Sequence, residues 1–378
     1  MRDYFQKENP IHFRFPIDGD CLNRNDGEEI GDQLKILATV EAPEGHDVEI
    51  CGTKAEVCGN LYRASVLLEG RECTLRAEDK TAGTTSEIKV FRLQNPLGGY
   101  RLSSDDNIIF LADINEHKDE YSSIFDNPYL SVYKKAHDRY GAKVHLNLFY
   151  EFEDVSRSYF STERQYFNLS MMTDKFKEEF RANSDWLKFS FHGKGEFPME
   201  PYKHADGETV RTDAEKVIAE VIRFAGEEIL SGCTTVHFGE ANEEGVRALR
   251  QMGYRAMTGY FMTEGAPVAY YAPKELIQHI YNRDFWKDTK TDVLFGRIDA
   301  VLNYKDRAAH VQTVRDAVES PTRGGFLSVM IHEQYFYPDY KYYLADFEDR
   351  VLEACRILTE YGYEGRHICE VDGIPPLK

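Results

Sequence analysis

Tyr100-Arg101-Leu102-Ser103-Ser104-Asp105-Asp106-Asn107 is the stretch on which the fold turns. A short apolar strand, Tyr100–Ser104, runs directly into two aspartates, so at least one carboxylate must project past the strand's end. Side-by-side carboxylates repel, which favours a cation beside them. Downstream, apolar strands alternate with amphipathic helical patterns, the signature of a β/α fold. The further candidate strands are Lys143–Tyr150, Leu187–Phe191, Thr234–Phe238, Arg255–Phe261, Val293–Ile298 and Phe326–Ile331. The capping box Thr212-Asp213-Ala214-Glu215 predicts the start of a helix that presents Val217, Ile218, Val221, Ile222, Ala225 and Ile229 on one face. Other helices are expected over Glu243–Met252, stopping at Gly253, and over Asp346–Tyr361, ending at Gly362.

Functional side chains in such folds collect where strands end and loops begin. The third strand ends at His192, followed four residues on by Glu196; the fourth gives His237-Phe238-Gly239-Glu240. The sixth gives Asp299 and the seventh His332-Glu333. Carboxylates and imidazoles therefore gather at one mouth. His192, Glu196 and one aspartate would make a facial set of three ligands with positions left for water, which a catalytic divalent ion requires. Water on such an ion has its pKa lowered from about 16 toward roughly 7. His332 is either a hydrogen-bonded core residue or a donor to a leaving amine, with Glu333 or Asp299 as orienting partner. His237 and Glu240 either contact substrate or only shape their loop. Asp113, Glu116 and His117 offer an alternative metal set, on a loop that no strand orients. Tyr335, Phe336, Tyr337, Tyr340, Tyr342 and Tyr343 form either a sugar-stacking wall or a packed loop.

Upstream, Leu34, Ile36, Ala38 and Val40 alternate with other residues, as do Tyr62, Ala64, Val66 and Leu68. Turns such as Pro43-Glu44-Gly45 and Gly59-Asn60 punctuate these runs, which predicts an all-β sandwich over residues 1–95, generically like immunoglobulin-like modules. Asn95-Pro96-Leu97-Gly98-Gly99 reads as the linker to a second domain over 96–378. Two domains suit a chain of 378 residues.

A net charge of −19 repels phosphate backbones and anionic bilayers, so neither nucleic acid nor membrane is an expected partner. No apolar run approaches the roughly 20 residues that span a bilayer. Met1–Pro10 lacks the order of a signal peptide, and the seven cysteines form no CxxC pair, so free thiols and a cytoplasmic setting are expected.

The Tyr100–Asn107 segment resembles the first motif of polysaccharide deacetylases of the NodB-homology class, in which a strand ends in two aspartates. His192-Gly193-Lys194-Gly195-Glu196 resembles the second motif, and Leu327-Ser328-Val329-Met330-Ile331-His332 the last. The order agrees over about residues 96–378. Phe191–Tyr202, Val236–Phe261 and Ile331–Tyr340 are also similar to an uncharacterised bacterial branch of that superfamily with an N-terminal sandwich in front. The resemblance implies a seven-stranded β/α barrel, a distorted TIM barrel, rather than an open sheet. It makes Asp105 the base, Asp106, His192 and Glu196 the metal ligands, and His332 the general acid. It also implies a divalent ion, zinc first, with nickel, cobalt, manganese or magnesium as others, and removal of an acyl group from an amino sugar. Two departures stand out. Glu196 replaces the family's second histidine ligand, which adds negative charge, weakens the ion as a Lewis acid and favours harder ions. The third-motif arginine and proline that brace the base are missing from His237-Phe238-Gly239-Glu240-Ala241. Loss of chemistry would instead leave a non-catalytic carbohydrate-binding protein. Another hydrolytic or lyase reaction on sugars is a third reading, since fold alone does not fix chemistry.

Overall fold

The computed structural model describes residues 3–152, 159–262, 269–304, 306–320, 323–375 and 377. The chain divides into two compact units, Met1–Pro96 with Phe285–Leu294, and Leu97–Asp284 with Phe295–Lys378. The return of residues 285–294 to the first unit has no counterpart in the sequence reading.

The first unit carries β1 (His12–Phe15), β2 (Gly27–Ile30), β3 (Gln33–Glu41), β4 (Val48–Ile50), β5 (Thr53–Lys54), β6 (Glu56–Cys58), β7 (Leu61–Leu68), β8 (Glu72–Asp79) and β9 (Thr84–Phe91). One antiparallel sheet runs β1-β3-β7-β6 with β2 on β3, and the other runs β5-β4-β8-β9. The period-two alternation decides which faces meet. Ile36, Ala38, Val40, Tyr62, Ala64 and Val66 of one sheet share a core with Leu75, Ala77, Ile88 and Val90 of the other.

In the second unit the central strand β10 (Gly99–Asn107) is buried throughout and is followed by α1 (Ile109–Glu116) and α2 (Pro128–Tyr140). Next come β11 (Val144–Phe149), the short pair β12 (Glu151–Phe152) and β13 (Phe167–Asn168), α3 (Lys177–Ala182) and β14 (Leu187–Gly193). Then follow α4 (Gly207–Ala225), β15 (Cys233–Thr234), α5 (Glu243–Gln251), β16 (Ala256–Gly259) and α6 (Lys274–Tyr281). Strand β17 (Phe285–Asp288) lies in the segment assigned to the first unit. The chain ends with β18 (Val293–Arg297), β19 (Ala300–Val301), α7 (Arg307–Val318), β20 (Phe326–His332), α8 (Phe347–Glu360) and β21 (Glu364–Gly365). A parallel sheet has the order β14-β11-β10-β20-β19, with β21 also pairing β10. A second sheet places β16 between β15 and β18. Segments flanking the second sheet reach the first: Leu230, ahead of β15, forms a parallel bridge with Phe189 of β14, and the Asp299 amide, just past β18, donates to the Ser328 oxygen of β20.

Two local expectations are corrected. Helix α4 begins five residues before the Thr212 box, because Asp206 accepts the Thr209 amide and caps it there; Thr212 is interior. The fourth strand stops at Thr234, and His237–Gly239 form a tight 3₁₀ turn with Phe238 at φ 61°. Among the described residues no helix is long and apolar enough to cross a membrane.

Candidate metal centre and surrounding cleft

Strand β10 delivers the two aspartates by breaking its own regularity. Its pairing with β11 shifts register between Ser104 and Asn107, and Asp106 adopts φ 62°, a left-handed conformation that costs a non-glycine residue of order 1–3 kcal/mol. The Asn107 side chain holds the distortion, donating to the Ser104 (2.7 Å) and Asn147 (3.1 Å) carbonyls. Just beyond, the amides of Ile108, Ile109 and Phe110 at the start of α1 all donate to the Glu333 carboxylate, at 2.6–2.9 Å. Tyr337 adds its hydroxyl at 2.8 Å. Unsatisfied amides at a helix N-terminus favour an anion there. Burial nonetheless pushes Glu333 up to about 7 against these donors.

Three ligand-type atoms converge: Asp106 Oδ1, His192 Nε2 and His237 Nδ1, all buried and within 4.8 Å of one another. Asp106 Oδ1 lies 2.9 Å from His192 Nε2 and 3.4 Å from His237 Nδ1. Each imidazole uses its other nitrogen on a backbone carbonyl. His192 Nδ1 donates to Thr235 O (2.5 Å) and His237 Nε2 to Glu196 O (3.2 Å). That arrangement fixes the tautomers so that unprotonated nitrogens face inward, as metal-ligating histidines require. Gly193 permits the approach, since a Cβ there would come within 3.3 Å of the His237 Cβ. The donor set of one carboxylate and two imidazoles suits zinc and its first-row neighbours.

Electrostatics follow from the burial. Burial, the largest influence, would raise the Asp106 pKa, but a proton shared with His192 and His237, together with positive charge on His332 and His237, would hold it well below the usual range. Burial, the largest influence on both imidazoles, depresses His237, whereas for His192 the bond to Asp106, the charges of Asp105 and Asp106 and the bond to Thr235 together exceed it and raise the pKa. Glu196 is driven up to about 9, by burial first and then by the Asp106 charge.

The structure thus brings Asp106 and His192 together, adds His237 as the third inward atom, and gives Glu196 a different position. Glu196 lines a cavity of about 380 Å³ above Asp106, together with Phe149, Phe160, Tyr304, Gln334, Tyr335 and Tyr340. Asp105 is buried with Oδ1 accepting from Asn147 Nδ2 at 2.6 Å. It is the register partner of His332 across the β10–β20 pair. His332 directs Nδ1 at Asn303 Oδ1 (3.0 Å) and Nε2 toward Asp106 Oδ2 (3.9 Å), between the rings of Tyr304 and Tyr335.

Neither expected orienting partner of His332 serves it. Glu333 is consumed by the α1 amides. Asp299 accepts the Ser328 amide (2.7 Å) and pairs with Arg297, lining a separate cavity. Glu240 pairs with Lys203 at 3.2 Å, outside the lining of the Asp106 cavity. His117 contacts the Asp113 carboxylate (3.3 Å) at the end of α1, away from the convergence. Of the aromatic run, Tyr335 and Tyr340 face the cavity. Phe336 and Tyr337 pack on Tyr129, and Tyr342 and Tyr343 are exposed. Sequence reasoning missed Asn147, Asn303 and Gln334, whose amide donates to Asp106 Oδ2 at 2.8 Å. Only the position of Gln334, two residues past His332, could have signalled it.

No family model and no curated protein matches the chain. Among solved structures it is similar to a peptidoglycan N-acetylglucosamine deacetylase in complex with an N-oxidanyl-benzamide compound, at 9% identity. That match covers 76% of this chain and 93% of the other, with a TM-score of 0.39. A CE4 family pseudoenzyme from Bacillus Anthracis follows at 10% identity, 79% and 83% coverage and a TM-score of 0.35. Likeness this loose leaves the functional reading to the side chains themselves.

Proposed function

We propose that the chain is a metal-dependent hydrolase that removes an acyl group, typically acetyl, from an amino sugar or related amide. The observation that carries this reading is the convergence of Asp106, His192 and His237, flanked by Asp105 and His332 on adjacent strands. We read the second unit as a seven-stranded deacetylase-like barrel, a reading supported by the links between its two sheets. The first unit, with two antiparallel sheets on one core, we read as the immunoglobulin-like sandwich in front of it.

Asp106, His192 and His237 would hold a divalent ion, zinc first, in place of the expected set with Glu196. Such an ion supplies Lewis acidity toward an acyl oxygen and eases deprotonation of water. Asn147 holds one oxygen of Asp105, leaving the other to accept a proton from the attacking water. Attack on the acyl carbon gives a tetrahedral oxyanion, whose negative charge the bound ion would offset. His332, oriented by Asn303, then gives the amine nitrogen its proton from Nε2 as the carbon–nitrogen bond breaks. Tyr335 and Tyr340 provide apolar faces against which a pyranose ring can stack.

The test is acetate release from acetylated chito-oligosaccharides by the metal-loaded protein. The expected result is turnover abolished by Asp105→Asn with metal content unchanged. Saccharide binding without turnover would favour the non-catalytic carbohydrate-binding alternative.

A further inference from the structure

We infer that Arg101 is a positioning residue for Asp105, acting through a one-directional chain of buried hydrogen bonds; this rests on the reading of Asp105 as the base. Arg101 lies four residues before Asp105 on β10, about 13 Å along the strand and on the same face. Its guanidinium is fully buried, and among the described residues its hydrogen bonds go to neutral groups.

The chain's direction is fixed by chemistry. A guanidinium only donates, so His145 Nδ1, 3.3 Å from Arg101 Nη2, must accept. His145 is therefore neutral with its proton on Nε2, and burial followed by the Arg101 charge keeps it so. That Nε2–H donates to Ser190 Oγ at 2.9 Å, and the Ser190 hydroxyl donates to Asn147 Oδ1 at 2.6 Å. Asn147 Oδ1 also accepts the Thr235 amide (3.2 Å), which independently fixes the amide's orientation. Asn147 Nδ2 then donates to Asp105 Oδ1 at 2.6 Å. The far end is a carboxylate, which accepts.

A buried cation thus ends on a buried anion through three neutral side chains, all with dipoles aligned. Such a chain orients the Asp105 carboxylate without direct contact. It supplies from the first strand the brace that the fourth strand's loop lacks.

Ser190→Ala cuts the chain at its middle with little change in volume. The expected result is a kcat lower by about tenfold or more with KM little changed, and recovery in Ser190→Thr. A crystal structure of Ser190→Ala should show the Asp105 carboxylate turned from Asn147, and ¹⁵N spectra of the wild type should show His145 protonated on Nε2 alone. An unmoved Asp105, an unchanged kcat in an active enzyme, or a proton on His145 Nδ1 would overturn the inference. If the wild type releases no acetate, the hydrolase reading falls, while the Asp105 position and the imidazole spectrum still decide the chain.

Discussion

The inward nitrogens of His192 and His237 face each other across 3.2 Å, each with its outer N–H committed to a backbone carbonyl. Two lone pairs at that separation, with Asp106 Oδ1 alongside, need a positive centre: a proton or a metal ion. Purified protein should therefore carry near-stoichiometric divalent metal by elemental analysis. His192→Ala, His237→Ala and Asp106→Ala should lose it, with affinity down by about 10–100-fold or more. Glu196→Gln should keep it. Retention in His237→Ala with loss in Glu196→Gln would restore the ligand set expected from the sequence.

Proton and metal compete for this centre, and pH separates them. His192 is raised above 6.5 because, against burial, its bond to Asp106, the charges of Asp105 and Asp106 and its bond to Thr235 together prevail. A raised imidazole stabilises the metal-free fold fully below pH 6.5, and that contribution is lost as pH rises through the folded pKa. Metal binding needs the unprotonated nitrogen, so affinity should rise over the same window. Melting curves from about pH 5 to about pH 9, with and without zinc, should diverge with increasing pH. Parallel curves would contradict this.

Glu333 should act on stability and not on metal content. Both its oxygens accept from donors, so the amide nitrogen of Glu333→Gln would oppose an N–H or O–H. The expected cost is about 2–3 kcal/mol, read by denaturant unfolding.

His332 and Asn303 should affect turnover alone. His332→Ala is expected to lower kcat by about 100-fold or more with metal bound as before. Asn303→Ala, which frees the ring without removing it, should cost about tenfold. Loss of metal in either variant would mean that His332 helps to hold the ion.

The strand ends were the legible part of this chain. Six of the seven apolar runs fall on strands, the run Thr234–Phe238 meeting one only at Thr234, and the carboxyl ends include Asp106, His192 and His237, whose ligand-type atoms converge. Spacing singles out Glu196 because a residue four beyond a histidine looks like a ligand; in the structure its carbonyl meets His237 Nε2, it lines the cavity, and the group of three ligand-type residues does not include it. His237 was read inside a strand that stops at Thr234; the left-handed Phe238 that shapes the turn is sterically unfavourable and leaves no trace in a hydrophobic pattern. Helix α4 was placed too late for a similar reason: Asp206 caps locally, whereas the Thr212 box is an accident of composition. The amides around the carboxylates could not be read at all, since Asn147 and Asn303 gain their roles only through pairing between distant segments.

Glu333 fastens amides 225 residues earlier in the chain, and His332 beside it lies in register with Asp105. The amides directly after the aspartates therefore lack their acceptor until the C-terminal part of the polypeptide has been made and has docked. A nascent chain stopped before residue 333 would hold every inward-facing atom of the triad yet leave the amides that open α1 without their carboxylate, so the start of that helix is secured only when the C-terminal strand arrives.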